Sequence, residues 1–318
     1  MIDADPSAKK ILVTGGAGFI GSHVAAKCIE AGYDVHVLDN LSSGSASNVP
    51  ADATFHALDL RDEEILELFA RERFPVVIHH AAQLDVRRSV TDPVFDADVN
   101  VLGFLRLMEA GRQHGLQRLV FASTGGAIYG ETEELPQFET NALQPESPYG
   151  ITKLATEKYL YFYERVHGIS SVVLRYANVY GPRQGTYGEA GVIAIFIKKL
   201  LAGEPPIIFG DGEQTRDYVF VGDVVRANLL AIEAKASGTY NIGTGVETSV
   251  NTLVEKIQHL MRVSGDVQHE AARPGEVRRS VLSYELIEQA MGWSPQVTLD
   301  KGLAETIRWF NSRTAPAL

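Results

Sequence analysis

Ile11-Leu-Val-Thr-Gly15-Gly16-Ala-Gly18-Phe19-Ile20-Gly21 is the stretch on which the reading of this 318-residue chain turns. Apolar residues run straight into glycines. Ile20, Val24 and Cys28 then recur at helical spacing beside Ala25 and Ile29, so the segment reads as strand, tight turn and helix. In that reading Gly15 permits the sharp turn, Gly18 lets backbone N–H groups approach a pyrophosphate, and Gly21 lets the helix press on the strand. The amino end of the helix adds partial positive charge where phosphates would lie. Glycines between a strand and a helix also occur for steric reasons alone, so the neighbouring sequence has to carry the assignment.

It does so in the next thirty residues or so. The helix ends at Gly32, a second apolar strand Val35-His-Val-Leu38 follows, and Asp39 stands at its tip, before Asn40. A carboxylate there can accept both hydroxyls of an adenosine ribose and repels a 2′-phosphate, which favours NAD over NADP; a plain turn residue is the alternative. The loop 41–48, with Ser43 and Gly44, either closes over the ribose or lies mobile on the surface. A third strand over 54–58 runs to Asp59 and Leu60. From there a carboxylate can reach an adenine amino group, or Asp59 or Asp62 can cap the helix that the spacing predicts over 62–74.

Size and composition bound the rest. The chain is long enough for one large α/β domain and a smaller lobe, and 45% apolar residues supply a core. Forty acids against 29 bases give a net charge of −11, which argues against nucleic acid or an anionic membrane as principal partner. Cys28 is the only cysteine and falls on the apolar face of the first helix, so an intrachain disulfide is impossible and a buried thiol is expected. The opening residues lack the apolar segment of a signal peptide, and the apolar run that starts at Gly191 and Val192 is stopped by Lys198 and Lys199. A cytoplasmic protein is the expectation.

Val76-Val-Ile-His-His80-Ala81-Ala82-Gln83 reads as a central parallel strand and its exit. Adjacent residues on a strand face opposite sides, so His79 and His80 cannot share a metal, and no other cluster has ligand spacing; no metal is expected. A helix is predicted over 92–114. Its Asn100 lies among Val99, Val101 and Leu102, where it either braces backbone or faces solvent. Arg118-Leu-Val-Phe-Ala-Ser123-Thr124 is a fifth strand that ends in two hydroxyls, where open α/β sheets bind ligands. Ser147-Pro-Tyr149-Gly-Ile-Thr-Lys153 then opens a helix that puts Tyr149 and Lys153 on one face, a turn apart. That spacing is common by accident, but with a dinucleotide turn upstream and hydroxyls between, it reads as catalytic.

Gly15-Gly-Ala-Gly18-Phe-Ile-Gly21, Asp39-Asn40, His80-Ala-Ala-Gln83, Ser123-Thr-Gly125-Gly126-Ala-Ile-Tyr-Gly130, Tyr149-x-x-x-Lys153, Leu174-Arg-Tyr176-Ala-Asn178-Val-Tyr-Gly-Pro182, Arg216-Asp-Tyr218-Val219 and Tyr240-Asn-Ile-Gly243 together resemble the extended short-chain dehydrogenase/reductase superfamily. Within it they resemble the UDP-glucose 4-epimerases, and the resemblance covers nearly the whole chain. It implies a Rossmann-type doubly wound parallel sheet over 1–180 and a smaller, interleaved substrate lobe over 181–318, with segments near 217–245 returning to the first domain. It also implies a homodimer built on the helices that start near Asp92 and Tyr149. The alternatives are another nucleotide-sugar epimerase or a net oxidoreductase.

The resemblance further implies the chemistry. Tyr149 as phenolate takes the 4′-hydroxyl proton of a UDP-hexose while the C4 hydride passes to NAD and later returns to the other face. Thr124, with Ser123 second, hydrogen-bonds the same oxygen. Gly125, Gly126, Asn178, Gly191, Val192, Arg216, Tyr218, Arg273 and Glu276 are implied around the nucleotide sugar, and His80, Asn100 and Tyr176 around the cofactor. Ser280 aligns with the position that controls access of an N-acetyl group, and its small side chain leaves room for one. The dehydratases of the superfamily place Asp-Glu after their threonine, whereas Thr124 is followed by Gly125-Gly126.

Overall fold

The computed structural model describes residues 10–185, 191–235, 237–272 and 277–314. β1 (Lys10–Thr14) enters α1 (Phe19–Glu30) through the glycine turn and the chain returns in β2 (Asp34–Leu38). β3 (Thr54–His56), α2 (Glu64–Glu72) and β4 (Val76–His79) follow, then α3 (Val86–Thr91), α4 (Pro93–Ala97), a π-helical turn over Asp98–Gly103, and α5 (Phe104–Gln113). β5 (Arg118–Thr124) leads through α6 (Gly125–Ile128) to the long α7 (Pro148–His167), β6 (Ser170–Tyr176) and β7 (Asn178–Tyr180). Next come α8 (Val192–Leu201), β8 (Ile207–Phe209), β9 (Thr215–Phe220), α9 (Val221–Glu233) and β10 (Gly238–Ile242). β11 (Glu247–Ser249), α10 (Val250–Met261), β12 (Gln268–Glu270), β13 (Arg279–Ser280), α11 (Glu285–Met291) and α12 (Leu299–Thr314) complete the described chain.

Among the described residues, seven parallel strands form one sheet in the order β10-β6-β5-β4-β1-β2-β3. Both faces are covered, which is why these strands are continuously apolar rather than alternating. Val13, Ile78, Val120 and Leu174 pack with Val24 of α1 and Val224 of α9. Their strand neighbours Leu12, Val77, Leu119 and Val173 pack with Phe69 of α2, Leu107 of α5 and Leu160 of α7. Strand order reverses between β1 and β4, so the carboxyl ends of those two strands diverge into opposite halves and leave a crevice. β9 pairs with β7, β11 and β13 in a smaller sheet, and β8 pairs with β12. Between β9 and β11 the chain re-enters the large sheet, where β10 pairs along β6.

Several elements depart from the sequence reading. The helix expected over 92–114 is broken into α4, a π turn and α5, and Asp92 is its cap, accepting a hydrogen bond from Phe95 N at 3.1 Å. The extra residue of the π turn leaves Asn100 turned inward, 6% exposed, rather than toward solvent. The third strand stops at His56, and α2 spans Glu64–Glu72 rather than 62–74, with neither Asp59 nor Asp62 at its cap position. Cys28 is buried as expected, and burial pushes its thiol up to about 12.

At the sheet edge, His36 Nδ1 and His56 Nε2 lie 2.8 Å apart with their rings stacked, and Phe74 abuts His36 edge-on. Burial lowers the pKa of both from 6.5. A histidine whose folded pKa is depressed contributes stability above its unfolded pKa and loses it as pH falls. The denaturation midpoint is therefore expected to hold near neutral pH and to drop below pH 6.5, and His56→Phe to remove part of that drop. An equal drop in the variant would show that the pair is not responsible.

Candidate active site

Ser147 and Pro148 set the start of α7. The Ser147 hydroxyl accepts from Gly150 N at 3.2 Å and Pro148 occupies the first turn, so Tyr149 and Lys153 follow at fixed positions beside the carboxyl end of β5. Lys153 is buried, and its Nζ donates to the Ala122 carbonyl at 2.9 Å. The same nitrogen lies 4.8 Å from the centre of the Phe121 ring and 5.8 Å from that of Tyr149. Burial pushes the ammonium down to about 8, opposed by the carboxylates of Asp96 and Glu157. A cation at that distance lowers the energy of a phenolate by about 3 kcal/mol at an effective dielectric of ~20. A shift of three pKa units would need about 4 kcal/mol, of which such a contact supplies the larger part.

The two hydroxyls at the end of β5 part company. Ser123 Oγ donates to Glu157 Oε1 at 2.6 Å and is 4% exposed. Glu157 is also gripped by Arg175, through Nε at 3.1 Å and Nη2 at 2.7 Å. Arg175 Nη1 donates to the Tyr129 hydroxyl at 2.9 Å, which donates to Asn241 Oδ1 at 2.7 Å. Ser123 is thus held in a buried network, whereas Thr124, next along the strand, faces the other side and is only half-buried. Glu157, Arg175 and Asn241 were not singled out from sequence. An arginine inside the apolar run of β6 was the available signal, because a buried guanidinium demands a carboxylate.

Asn100 braces the backbone at the end of β4. Its Oδ1 accepts from Gln83 N at 2.8 Å and its Nδ2 donates to Gln83 O at 2.9 Å. Gln83 Nε2 and Thr152 Oγ1 each donate to Asp96 at 2.9 Å. Thr14 Oγ1 accepts from Ala81 N at 3.2 Å and meets His79 Nδ1 at 2.8 Å, so its proton goes to a neutral His79, whose pKa burial holds well below 6.5. His80 points to the opposite face and stacks on Tyr176, as the strand pattern requires. The Tyr176 hydroxyl receives Asn228 Nδ2 at 2.8 Å and lies 3.2 Å from His80 Nε2, which turns it into the protein.

The glycine turn shapes a cleft. Gly15, at φ +68°, passes so close to β4 that a Cβ would lie 2.6 Å from Ala81 N, and a Cβ on Gly21 would collide with the Gly15 carbonyl. Gly18 precedes Phe19 and Ile20 at the start of α1. Asp39 is buried, with Oδ2 accepting from Ala17 N at 3.0 Å and Oδ1 from Leu41 N at 2.8 Å, and each oxygen keeps acceptor capacity. The 41–48 loop docks on that turn: Ser45 N and Asn48 Nδ2 both donate to Ala17 O, and a Cβ on Gly44 would meet Ala17 at 2.8 Å. Asp59 is gripped by Arg61 through Nε at 2.8 Å and by Asn40 through Nδ2 at 2.6 Å, which hold its carboxyl far below the usual range. Leu60, beside it, is buried. A Cβ-free cradle at a helix amino end, with a carboxylate at the tip of β2 and Ala81-Ala82 at the tip of β4, fits a dinucleotide.

The smaller sheet approaches α6 through β7. Leu282 packs so tightly on Gly125 that any side chain there would clash, and Asn178 lies beside Gly126. Arg216 Nη1 donates to Thr215 O at 2.8 Å, Ser280 is its register partner and buried, and Tyr218 is buried two residues along β9. Gly191 and Val192 open α8. Arg273 and Glu276 lie outside the described residues.

The model of the NAD dependent epimerase/dehydratase family matches residues 11–243, which span the cradle, the Tyr149–Lys153 helix and the re-entrant β10. The chain belongs to that family. Its sequence is 48% identical over 306 residues to a putative UDP-glucose 4-epimerase of Methanocaldococcus jannaschii, covering 96% of this chain and all of the relative. Among solved structures, a UDP-glucose 4-epimerase with UDP-glucose from Thermotoga maritima superposes with a TM-score of 0.94 at 49% identity, covering 96% of this chain and 99% of that one. The Thermus thermophilus UDP-glucose 4-epimerase in complex with NAD gives 0.91 at 46% identity, covering 96% and 100%. As a member of this epimerase/dehydratase family the chain is an NAD-dependent enzyme, with the doubly wound sheet expected from its opening residues.

Two substitutions separate the hydroxyls. Thr124→Val is expected to lower turnover about 10²-fold with stability little changed. Ser123→Ala should cost about 1–3 kcal/mol of stability through the lost hydrogen bond to the buried Glu157 carboxylate, with turnover lowered less than about 10-fold. Steady-state kinetics and denaturation of both variants read this, and the reverse ranking in turnover would reassign the relay to Ser123.

Proposed function

We propose that this protein interconverts UDP-glucose and UDP-galactose by inverting C4 of the hexose. The reading is supported by Tyr149 and Lys153 sharing one face of α7, with Lys153 Nζ on the Ala122 carbonyl at the carboxyl end of the strand that Thr124 terminates. NAD, when bound, would supply the acceptor for the C4 hydride and the donor for its return to the opposite face of the sugar. Tyr149 removes the proton of the 4′-hydroxyl and later restores it, Thr124 relays that proton, and the Lys153 cation stabilises the phenolate. An oxidised nicotinamide in the cradle would add further positive charge to that of Lys153. Gly15, Gly18, Gly21, Asp39 and the Ala81–Gln83 exit would hold the cofactor, and the Asn178 amide with the forked donors of Arg216 and Arg273 would hold the diphosphate.

The absence of Asp-Glu after Thr124 argues against dehydration, because no acid pair stands there to remove water from the sugar. We assign residues 1–180, with α9 and β10, to the cofactor domain and most of 181–318 to the substrate lobe. A second copy of the chain is proposed to cover the apolar surface formed by Val90 and Val94 near α4 and by Ile151, Phe162 and Val166 on α7, all more than 40% exposed. Among the described residues no helix is long and apolar enough to cross a membrane.

Purified protein incubated with UDP-glucose is expected to form UDP-galactose with no stoichiometric gain in NADH absorbance, and Tyr149→Phe to lose about 10²–10⁴-fold in rate. Accumulating NADH would point instead to net oxidation. Turnover of UDP-N-acetylglucosamine is also expected, because Ser280 is small. Ser280→Tyr should abolish that activity while sparing UDP-glucose, and a wild-type enzyme inert toward the N-acetyl sugar would remove the assignment of Ser280.

A further inference from the structure

Lys153 is a buried cation whose hydrogen-bond acceptor is a neutral carbonyl. Charged and titratable groups face it from four sides. His79 at the end of β4 and His80 just after it are both kept neutral by burial and so offer the ammonium no charge. Glu157, one turn along α7, is neutralised by the doubly bonded guanidinium of Arg175 on β6. Tyr149 stands on the fourth side. What remains is Asp96 on α4, with no exposed surface.

Asp96 differs from the other deeply buried carboxylates. Glu157 has Arg175, Asp223 has Arg226 and two backbone amides, and Asp217 has the amides of Thr244, Gly245 and Leu282. Asp96 accepts only from uncharged side chains: Gln83 Nε2 at 2.9 Å and Asn100 Nδ2 at 3.1 Å on one oxygen, Thr152 Oγ1 at 2.9 Å on the other. The two amide donors make the oxygen they share an acceptor, and Thr152 Oγ1, which also lies 3.0 Å from the Tyr149 carbonyl, meets the other. Thr152 is the residue before Lys153. A buried anion and a buried cation, each with neutral partners, thus lie on two helices joined through one hydroxyl, and leaving either without the other is heavily unfavourable.

We propose that Asp96 is a positioning residue, the counter-charge that keeps the Lys153 side chain ionised beside Tyr149. It touches neither substrate nor cofactor. The π turn serves the same end, since it brings Asn100 inward to hold Asp96 at 3.1 Å. The inference rests on Lys153 acting as proposed above, but its test includes a reading that needs no turnover. Burial pushes the ammonium down to about 8, with Asp96 the largest opposing influence, so neutralising Asp96 should let Lys153 lose its proton at lower pH.

Asp96→Asn and Thr152→Val are the variants to compare. In Asp96→Asn the alkaline limb of the kcat/KM profile is expected to move down by about one pH unit or more, while Thr152→Val, which breaks the same hydrogen bond but keeps the charge, leaves it in place. An unmoved limb in Asp96→Asn, or an equal move in Thr152→Val, would overturn the proposal. Melting temperatures of Asp96→Asn, Lys153→Met and the double variant give the second reading. The double variant should be destabilised less than the sum of the two single changes, and should fold even if Asp96→Asn alone does not. Additive losses, or a double variant no better folded than Asp96→Asn, would refute the pairing whether or not the protein epimerises sugars.

Discussion

The close passage of Gly15 over the peptide joining His80 to Ala81 is the constraint on which the molecule depends. With 2.6 Å between a would-be Cβ and Ala81 N, the turn after β1 and the exit of β4 are in direct contact at the point where strand order reverses. The contact fixes where α1 points its amino end and where the cleft opens. It also ties the glycine turn to the π turn, because Gln83, two residues past Ala81, is the residue that Asn100 holds by both backbone groups.

From there, order is passed on through side chains rather than through backbone. Thr152 and Thr156 join α7 to Asp96 and to the Asn100 carbonyl, and Glu157 joins α7 to β5 and β6. Tyr149 and Lys153 therefore sit on a helix anchored along one side by two polar clusters, while Leu160 and Tyr163 of the same helix fill the core. Breaking a buried pair of the Glu157–Arg175 kind costs roughly 3–5 kcal/mol, because the partner left behind stays charged and dry. The polar clusters thus restrict the helix to one rotation and one register, which apolar packing alone does less sharply.

Much of this was written in local pattern. Glycine spacing, apolar runs and the Ser147-Pro148 cap located β1, α1, β2, β4, β5 and α7 nearly to the residue, because each is specified by neighbours a few positions away. The helix break at Asp98–Gly103 was hidden, since its apolar periodicity is that of a continuous helix and the extra residue is stabilised by Gln83 and Thr156 from distant parts of the chain. The division of labour between Ser123 and Thr124 was legible only as strand alternation; which side held the buried carboxylate required Glu157 to be placed. The docking of the 41–48 loop on Ala17 likewise depends on a long-range contact with no local signature.

The re-entry of the chain bears on how the molecule is made. β10 and α9 complete the large sheet and its cover, yet they are encoded after β8 and β9 of the smaller lobe. A ribosome that has emitted β1 through β6 has released a sheet with an open flank beside β6 and an uncovered apolar face, and neither can close until residue 242 emerges. The amino-terminal half cannot finish folding ahead of the rest, so the usual vectorial order of domain-by-domain folding does not apply. Sealing that flank joins the two halves of the polypeptide into one cooperative unit, with a correspondingly high separation in sequence between residues that touch.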